Sequence, residues 1–242
     1  MKVNEKIETL RQWIDKSDNI VFFGGAGVST ESGLPDFRSD DGIYKANYSF
    51  PYPAERMLSH SFFMSNTADF FDFYRKMMLY EDAKPNNAHL KLAELERQGK
   101  LRAVVTQNID NLHQLAGSKN VLELHGSCWR NYCMDCGKFY PIEAVSKSEG
   151  VPRCSCGGII KPDVVLYEES LENDVISRSV EAIRHCSVLI VGGTSLSVYP
   201  AAGLINYYRG NKLVLINMSP TPYDSSADLL ITGKISEVFS QL

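Results

Sequence analysis

The stretch Asn19-Ile-Val-Phe-Phe-Gly-Gly-Ala-Gly-Val-Ser-Thr-Glu-Ser-Gly-Leu-Pro-Asp-Phe-Arg38 constrains this chain more than any other. Ile20 to Phe23 are four apolar residues in a row, too short for a buried helix and right for a strand covered on both faces. Gly24, Gly25 and Gly27 then mark a turn, since glycines reach positive φ and admit a ligand to the backbone. Ser29, Thr30 and Ser32 offer caps for a helix whose first N–H groups would face an anion. Strand, glycine turn and helix start are how a Rossmann-type sheet holds a pyrophosphate. Thr30 stands where the third glycine of G-x-G-x-x-G would be, so the loop by itself also fits an ordinary strand-to-helix turn. Phe37 and Arg38 add a ring that can cover a flat group and a guanidinium that can grip phosphate, although a surface turn with a buried Phe fits this segment too.

The rest of the chain repeats the alternation. Strands are expected at 101–106, 121–124, 163–167, 187–193, 212–217 and 228–232, and helices at 5–16, 88–97, 171–185, 201–208 and 235–242. Alternating strands and helices imply an α/β, doubly wound parallel sheet, Rossmann-like, whose ligands bind at the carboxyl ends of strands. The residues there are small or polar: the 24–27 loop, Gln107-Asn-Ile-Asp110, His125, Gly192-Gly-Thr-Ser195 and Asn217. Between 40 and 84 the texture changes to a crowd of aromatics, among them Tyr48, Phe62, Phe63, Phe70, Phe71, Phe73 and Tyr74. A helical excursion with its own small core is expected there.

A net charge of −4 argues against a broad nucleic-acid surface. The N-terminus is charged throughout, and no apolar run approaches the ~20 residues that span a bilayer, so a cytoplasmic protein with no membrane partner is expected. In that setting paired cysteines read as metal ligands. Cys133-Met-Asp-Cys136 and Cys154-Ser-Cys156 supply four thiolates for one closed, structural zinc site, with a redox dithiol as the alternative. Cys128 and Cys186 fit neither pair and read as small buried hydrophobes. Of five histidines, His125 ends a strand beside the glycine loop, where an imidazole can act as general base, while His113 reads as structural.

Gly25-Ala-Gly-Val-Ser29, Gly33-Leu-Pro-Asp-Phe-Arg38, Lys84-Pro-Asn86, Thr106-Gln-Asn-Ile-Asp110, Leu124-His-Gly126, the four cysteines, Lys161-Pro-Asp-Val-Val165 and Gly193-Thr-Ser-Leu196 occur in the order seen in sirtuins. From about Val21 to the C-terminus the chain resembles that family of NAD-dependent protein-lysine deacylases. The resemblance implies a Rossmann-like domain at 1–39, 86–126 and 163–242, a helical module at 40–85 and a zinc-ribbon module at 127–162. It implies that Ala26, Thr30 and Arg38 hold the NAD phosphates and nearby ribose, and that Phe37 shields the nicotinamide pocket. Gln107 and Asn108 would meet the nicotinamide ribose, Ile109 and Asp110 the nicotinamide amide, and Thr194, Ser195 and Asn217 the adenosine half. His125 would be the catalytic base, with Asn108 beside it. Val164, Val165 and Tyr167 would pair with an acetylated-lysine peptide or protein as an added strand.

The implied reaction moves the acetyl group of acetyl-lysine to ADP-ribose and releases nicotinamide and O-acetyl-ADP-ribose, with a monomer as catalyst. Deacylation of other acyl-lysines and mono-ADP-ribosyl transfer are the alternatives. Three departures from the family pattern stand out. Gly24 replaces a usual Thr, and Glu168 replaces a frequent Gly beside the peptide groove, where its charge is expected to favour basic flanking residues. The Tyr and Arg, three apart, of succinyl-preferring members are missing: Tyr74 is followed by Met77, and Phe73 by Lys76, so acetyl is expected over succinyl.

Overall fold

The computed structural model describes residues 2–37, 39, 42–44 and 50–242. The strands are β1 (Ile20–Gly24), β2 (Leu101–Thr106), β3 (Val121–Glu123), β4 (Gly126–Cys133), β5 (Phe139–Pro141), β6 (Ile160–Val164), β7 (Val188–Gly192), β8 (Leu213–Asn217) and β9 (Leu229–Thr232). The helices are α1 (Val3–Asp15), α2 (Ala54–Met57), α3 (His60–Ser65), α4 (Thr67–Met77), α5 (Asn87–Arg97), α6 (Leu112–Leu115), α7 (Glu143–Ser146), α8 (Asn173–His185) and α9 (Ile235–Phe239).

Six strands form one parallel sheet in the order β3-β2-β1-β7-β8-β9. That is the doubly wound order, and the winding direction reverses between β1 and β7. Both faces of β1 are buried because its side chains alternate. Ile20 and Phe22 join a core with α1, α5 and α9, whereas Val21 and Phe23 join one with α8 and the 3-10 helix Ala201–Tyr207. Strand β1 and helices α1, α5, α8 and α9 therefore lie where the sequence predicts them. Helix α5 starts on the Asn86 side chain, which accepts from the Ala88 N–H at 2.9 Å, and stops at Gly99, φ +73°.

The second sheet is small and antiparallel, in the order β5-β4-β6. Its apolar side and helices α2, α3, α4 and α7 share a core that contains Phe62, Phe63, Phe70, Phe71, Phe73 and Tyr74 together with Cys128, Cys133 and Cys154. The aromatic crowd is thus mostly core, as a satellite core would be.

Three expectations are corrected. The strand expected at 163–167 runs instead from Ile160 to Val164 and lies in the small sheet, antiparallel to β4. Gly126 makes the switch between sheets: its φ is +75°, and a Cβ there would meet the Asp163 carbonyl oxygen at 1.9 Å. The helix expected after the glycine loop is a pair of 3-10 turns, Ala26–Val28 and Thr30–Ser32, with no side-chain cap. The helix expected at 201–208 is likewise 3-10.

Candidate active site

A cleft of about 660 Å³ opens beyond the carboxyl ends of β1, β2, β7 and β8, facing the small sheet and its helices. Its size is that of a small-molecule site, typically ~300–1,000 Å³. The structure brings Ala26, Thr30, Phe37, Gln107, Asn108, Ile109, Asp110, His125, Val164, Val165, Tyr167, Thr194, Ser195 and Asn217 to its walls. Arg38 lies outside the described residues.

His125 is part-buried at the junction of the two sheets, between β3 and β4. Its Nδ1 lies 2.9 Å from the Gln107 carbonyl oxygen. A carbonyl only accepts, so Nδ1 carries the proton and Nε2 keeps its lone pair. Burial lowers the imidazole pKa, and the Gln107 carbonyl opposes this in part. The His125 carbonyl in turn accepts from the Val165 N–H at 3.0 Å, so the imidazole and the segment after β6 share one backbone bond.

The Gln107–Asp110 loop is pinned from both sides. From the large sheet, Gly24 O accepts from Gln107 N–H at 3.0 Å, and Thr106 Oγ1 accepts from Asn108 N–H at 3.0 Å. From β4, Cys128 N–H and Sγ both reach Ile109 O at 3.0 Å, and the Trp129 indole donates to Asp110 O at 3.1 Å. Inside the loop, Ser29 Oγ donates to Asp110 Oδ2 at 2.6 Å and accepts from Asn108 Nδ2 at 3.0 Å. Burial pushes the Asp110 carboxyl pKa up despite these bonds. Ser29, expected as a helix cap, is instead the buried link between two site side chains.

The first glycine loop also differs from expectation in its physics. Gly24, Gly25 and Gly27 do not adopt positive φ. They are needed for closeness: a Cβ on Gly25 would lie 2.8 Å from Thr194 Cβ, and one on Gly27 2.9 Å from Gly193 Cα. The two glycine turns therefore pack directly on each other. Asn217 holds the second turn, its Oδ1 accepting from Thr194 N–H at 3.0 Å and its Nδ2 donating to Thr194 O at 2.8 Å. Gln107 Nε2 donates to Thr194 Oγ1 at 3.0 Å, so Thr194 ties three strand ends together.

The four cysteines converge with all sulfurs within 4.8 Å of one another. Cys133–Cys156 and Cys136–Cys156 are 3.5 Å apart and Cys136–Cys154 3.6 Å, and none is in a disulfide. Four Zn–S bonds of ~2.3 Å in a tetrahedron place sulfurs roughly 3.8 Å apart, so the cluster fits zinc with no open position.

The chain belongs to the Sir2 family. The model of that family matches residues 25–200. The NAD-dependent protein deacetylase of Clostridium acetobutylicum is 62% identical over 240 residues, covering 98% of each chain. That of Clostridium tetani is 60% identical, covering 96% of this chain and 94% of its own. Among solved structures, a Sir2 with p53 peptide and NAD+ superposes with a TM-score of 0.86 at 38% identity, covering 100% of this chain and 97% of that one. A Sir2 bound to acetylated peptide gives 0.87 at 38% identity over the same shares.

Departures of this Sir2 chain from the family pattern now have physical settings. A Cβ at Gly24 would meet the Phe22 ring at 2.6 Å, so the ring occupies the space a Thr would need. Both Glu168 carboxylate oxygens are engaged by Ser61 rather than turned free into the groove. Tyr167 also differs from a free strand edge: its N–H donates to Leu58 O at 3.0 Å, and its carbonyl accepts from His60 N–H at 2.9 Å. Its exposed side chain remains in the cleft wall, with its hydroxyl bonded to that of Tyr44. Cleft residues that sequence reasoning missed include Leu58, Met77, Met78, Val198 and Lys234. Lys234 follows the last strand, where the carboxyl-end rule pointed; the methionines carry no such signal.

Proposed function

We propose that this chain is an NAD-dependent protein-lysine deacetylase, with NAD and an acetyl-lysine peptide as its two substrates. The observation that carries this is His125: an imidazole with its Nδ1–H committed to Gln107 O at 2.9 Å and no protein partner on Nε2 among the described residues, in a cleft between a nucleotide-type sheet and a cysteine-pinned lobe. Relatives along the whole chain carry the same activity in their names, and a related structure holds peptide and NAD+.

Ala26 and Thr30, with Arg38, bind the NAD phosphates, and the second glycine turn with Thr194, Ser195 and Asn217 serves the adenosine end. Asn217 does so by shaping Thr194, to which both its polar atoms are bonded. Ile109 and Asp110 hold the nicotinamide amide, and Gln107 and Asn108 face its ribose. The acetyl-lysine carbonyl oxygen attacks C1′ of that ribose, and the C1′–nitrogen bond breaks as nicotinamide leaves. His125 Nε2 takes a proton from the ribose hydroxyls, which frees the 2′-oxygen to attack the imidate carbon. Addition of water and loss of the amine yield lysine and O-acetyl-ADP-ribose. Phe37 and Ile109 are apolar walls that keep water from the cationic sugar. Val164 and Val165 flank the peptide, and Tyr167 contributes its ring.

The chain divides into a Rossmann-like domain at 1–39, 86–126 and 163–242, a helical module at 40–85 and a zinc module at 127–162. Zinc, held by Cys133, Cys136, Cys154 and Cys156, fastens its module and takes no part in the reaction. We read the catalyst as a monomer, and four unoxidised cysteines suit the cytoplasm.

The test is incubation with NAD and an acetyl-lysine peptide while nicotinamide, peptide mass and protein mass are followed. Nicotinamide release should require the peptide and match the loss of one acetyl group per turnover. Label on the protein or peptide in place of acetyl loss would instead show ADP-ribosyl transfer. His125→Ala should remove turnover and keep the fold.

A further inference from the structure

Glu168 combines two unusual properties. It is one of three non-glycine residues with positive φ among the described residues, at +75°. Its carboxylate also reaches onto the first turn of α3: Oε2 accepts from Ser61 N–H at 2.8 Å and Oε1 from Ser61 Oγ at 3.0 Å. A left-handed backbone is unfavourable for a side chain with a Cβ unless the surroundings hold it there. Here the Glu169 N–H closes the turn onto Leu166 O at 3.0 Å, and the Glu168 side chain adds a second hold through Ser61.

The position gives this hold a consequence. Residues 58–60 and 167 are already stitched by Tyr167 N–H to Leu58 O and His60 N–H to Tyr167 O, with a parallel bridge between Ser59 and Tyr167. Glu168 adds a side-chain tether at the next residue and lines the cleft beside Val165 and Tyr167. Its own N–H and C=O have no protein partner among the described residues. The groove wall thus ends in a residue with open backbone groups, in a turn closed by Glu169 N–H to Leu166 O and tethered to α3 by the Glu168 carboxylate.

We propose that Glu168 is a positioning residue that preorganises the peptide-binding wall through Ser61, and so sets peptide affinity without touching the chemistry. This rests on the reading of that wall as the acetyl-lysine peptide site. A wall ordered in advance spares the peptide the entropy of ordering it.

The test compares wild type, Glu168→Gly and Glu168→Gln on acetyl-lysine peptides with flanking Lys or flanking Glu. Glycine accepts the left-handed backbone freely, so it removes the tether and leaves the turn permitted. Glu168→Gly should raise the peptide KM roughly five- to tenfold, the size of one ordinary net hydrogen bond, because the tether is solvent-exposed and acts on the peptide only through the wall. Its kcat and NAD KM should stay within about twofold of wild type, since peptide affinity is separable from the chemical step. Glu168→Gln keeps an acceptor for Ser61 N–H and a donor for Ser61 Oγ, and should restore most of the peptide affinity on both peptides. An unchanged peptide KM in Glu168→Gly overturns the proposal. So does a loss equal in both variants and confined to the Lys-flanked peptide, which would assign Glu168 a direct charge contact. A wild type that turns over neither peptide refutes the deacetylase reading instead.

Discussion

At the scale of single residues, the site depends on which atoms hold protons. In the proposed reaction His125 must be neutral to act as base, and burial moves its pKa below the ~6.5 of a free imidazole. A lowered pKa keeps the ring neutral to lower pH, so the acid limb of kcat/KM should lie below that value. Nicotinamide release measured from pH 5 to 8 checks this, and a limb above 6.5 would contradict it. Ser29 carries the second prediction. Ser29→Ala removes the donor to the buried Asp110 carboxylate and the acceptor for Asn108. Losing a hydrogen bond to a charged group costs about 1.5–3 kcal/mol, so kcat/KM for NAD should fall roughly 10- to 100-fold with the fold intact. Steady-state kinetics with a melting curve decide it; near-normal kinetics would show that the link is dispensable. Ser29 was legible only as a helix cap, because nothing local announces a partner 81 residues away. Asp110, His125 and the cysteines stood out because their type and strand-end spacing are themselves chemical signals.

At the scale of elements, helix α4 sets the far end of the cleft. Met77 and the following Met78 line it, Tyr74 is fully buried with no partner for its hydroxyl among the described residues, and Lys76 is drawn to Asp72 and the Phe50 ring. A succinyl carboxylate placed there would be buried without a cation among the described residues, a penalty of roughly 3–5 kcal/mol. Acetyl peptide should therefore exceed succinyl peptide in kcat/KM by at least about 100-fold. Competition between the two, read by mass, tests it, and faster succinyl turnover would overturn it. Helices α5 and α6 carry a stability prediction. His89 and His113 are fully buried with ring centroids 4.7 Å apart, and burial drives His89 down to about 4 and His113 well below its ordinary value. Both are neutral when folded, and the unfolded chain takes up their protons first. Stability from this pair is whole above ~6.5 and erodes as pH falls, by at most about 1.4 kcal/mol per pH unit for each ring. His113→Leu should gain up to about 2 kcal/mol relative to wild type between pH 7 and pH 5 in denaturant unfolding. An identical pH dependence in both proteins would remove His113 from the account. Helices and buried strands were legible because a long apolar period survives any context. The 3-10 turns after β1 and strands β4 and β5 were not, because their course is dictated by a second glycine turn, by Gly126 and by a metal cluster rather than by local period.

At the scale of the whole molecule, the cleft exists because two sheets of different kind meet at the end of β3. The parallel sheet offers open strand ends where its winding reverses, and the small sheet closes over them. Strand β4 connects the two halves physically. Its first residues hold the Ile109 and Asp110 carbonyls, Arg130 pairs with Glu123 of β3 at 2.5 Å and with Asp163 of β6 at 2.9 Å, and its last residue is the metal-ligand Cys133. The metal cluster is thus continuous with the Gln107–Asp110 loop, proposed to face the nicotinamide end, although its sulfurs lie outside the cleft lining. Zinc removal should act along that strand. Structural zinc contributes directly to the folding of the segment that binds it, so a strong chelator should loosen the β4–β6 sheet while the six-stranded sheet, whose cores lie elsewhere, stays folded. Activity should fall in proportion to zinc released, with one zinc per chain at full activity, and return on adding zinc back. Hydrogen exchange should rise across 126–164 and at 107–110 but not in β1, β7 or β8. Full activity in protein stripped of zinc would show that the small sheet holds the cofactor loop without its metal.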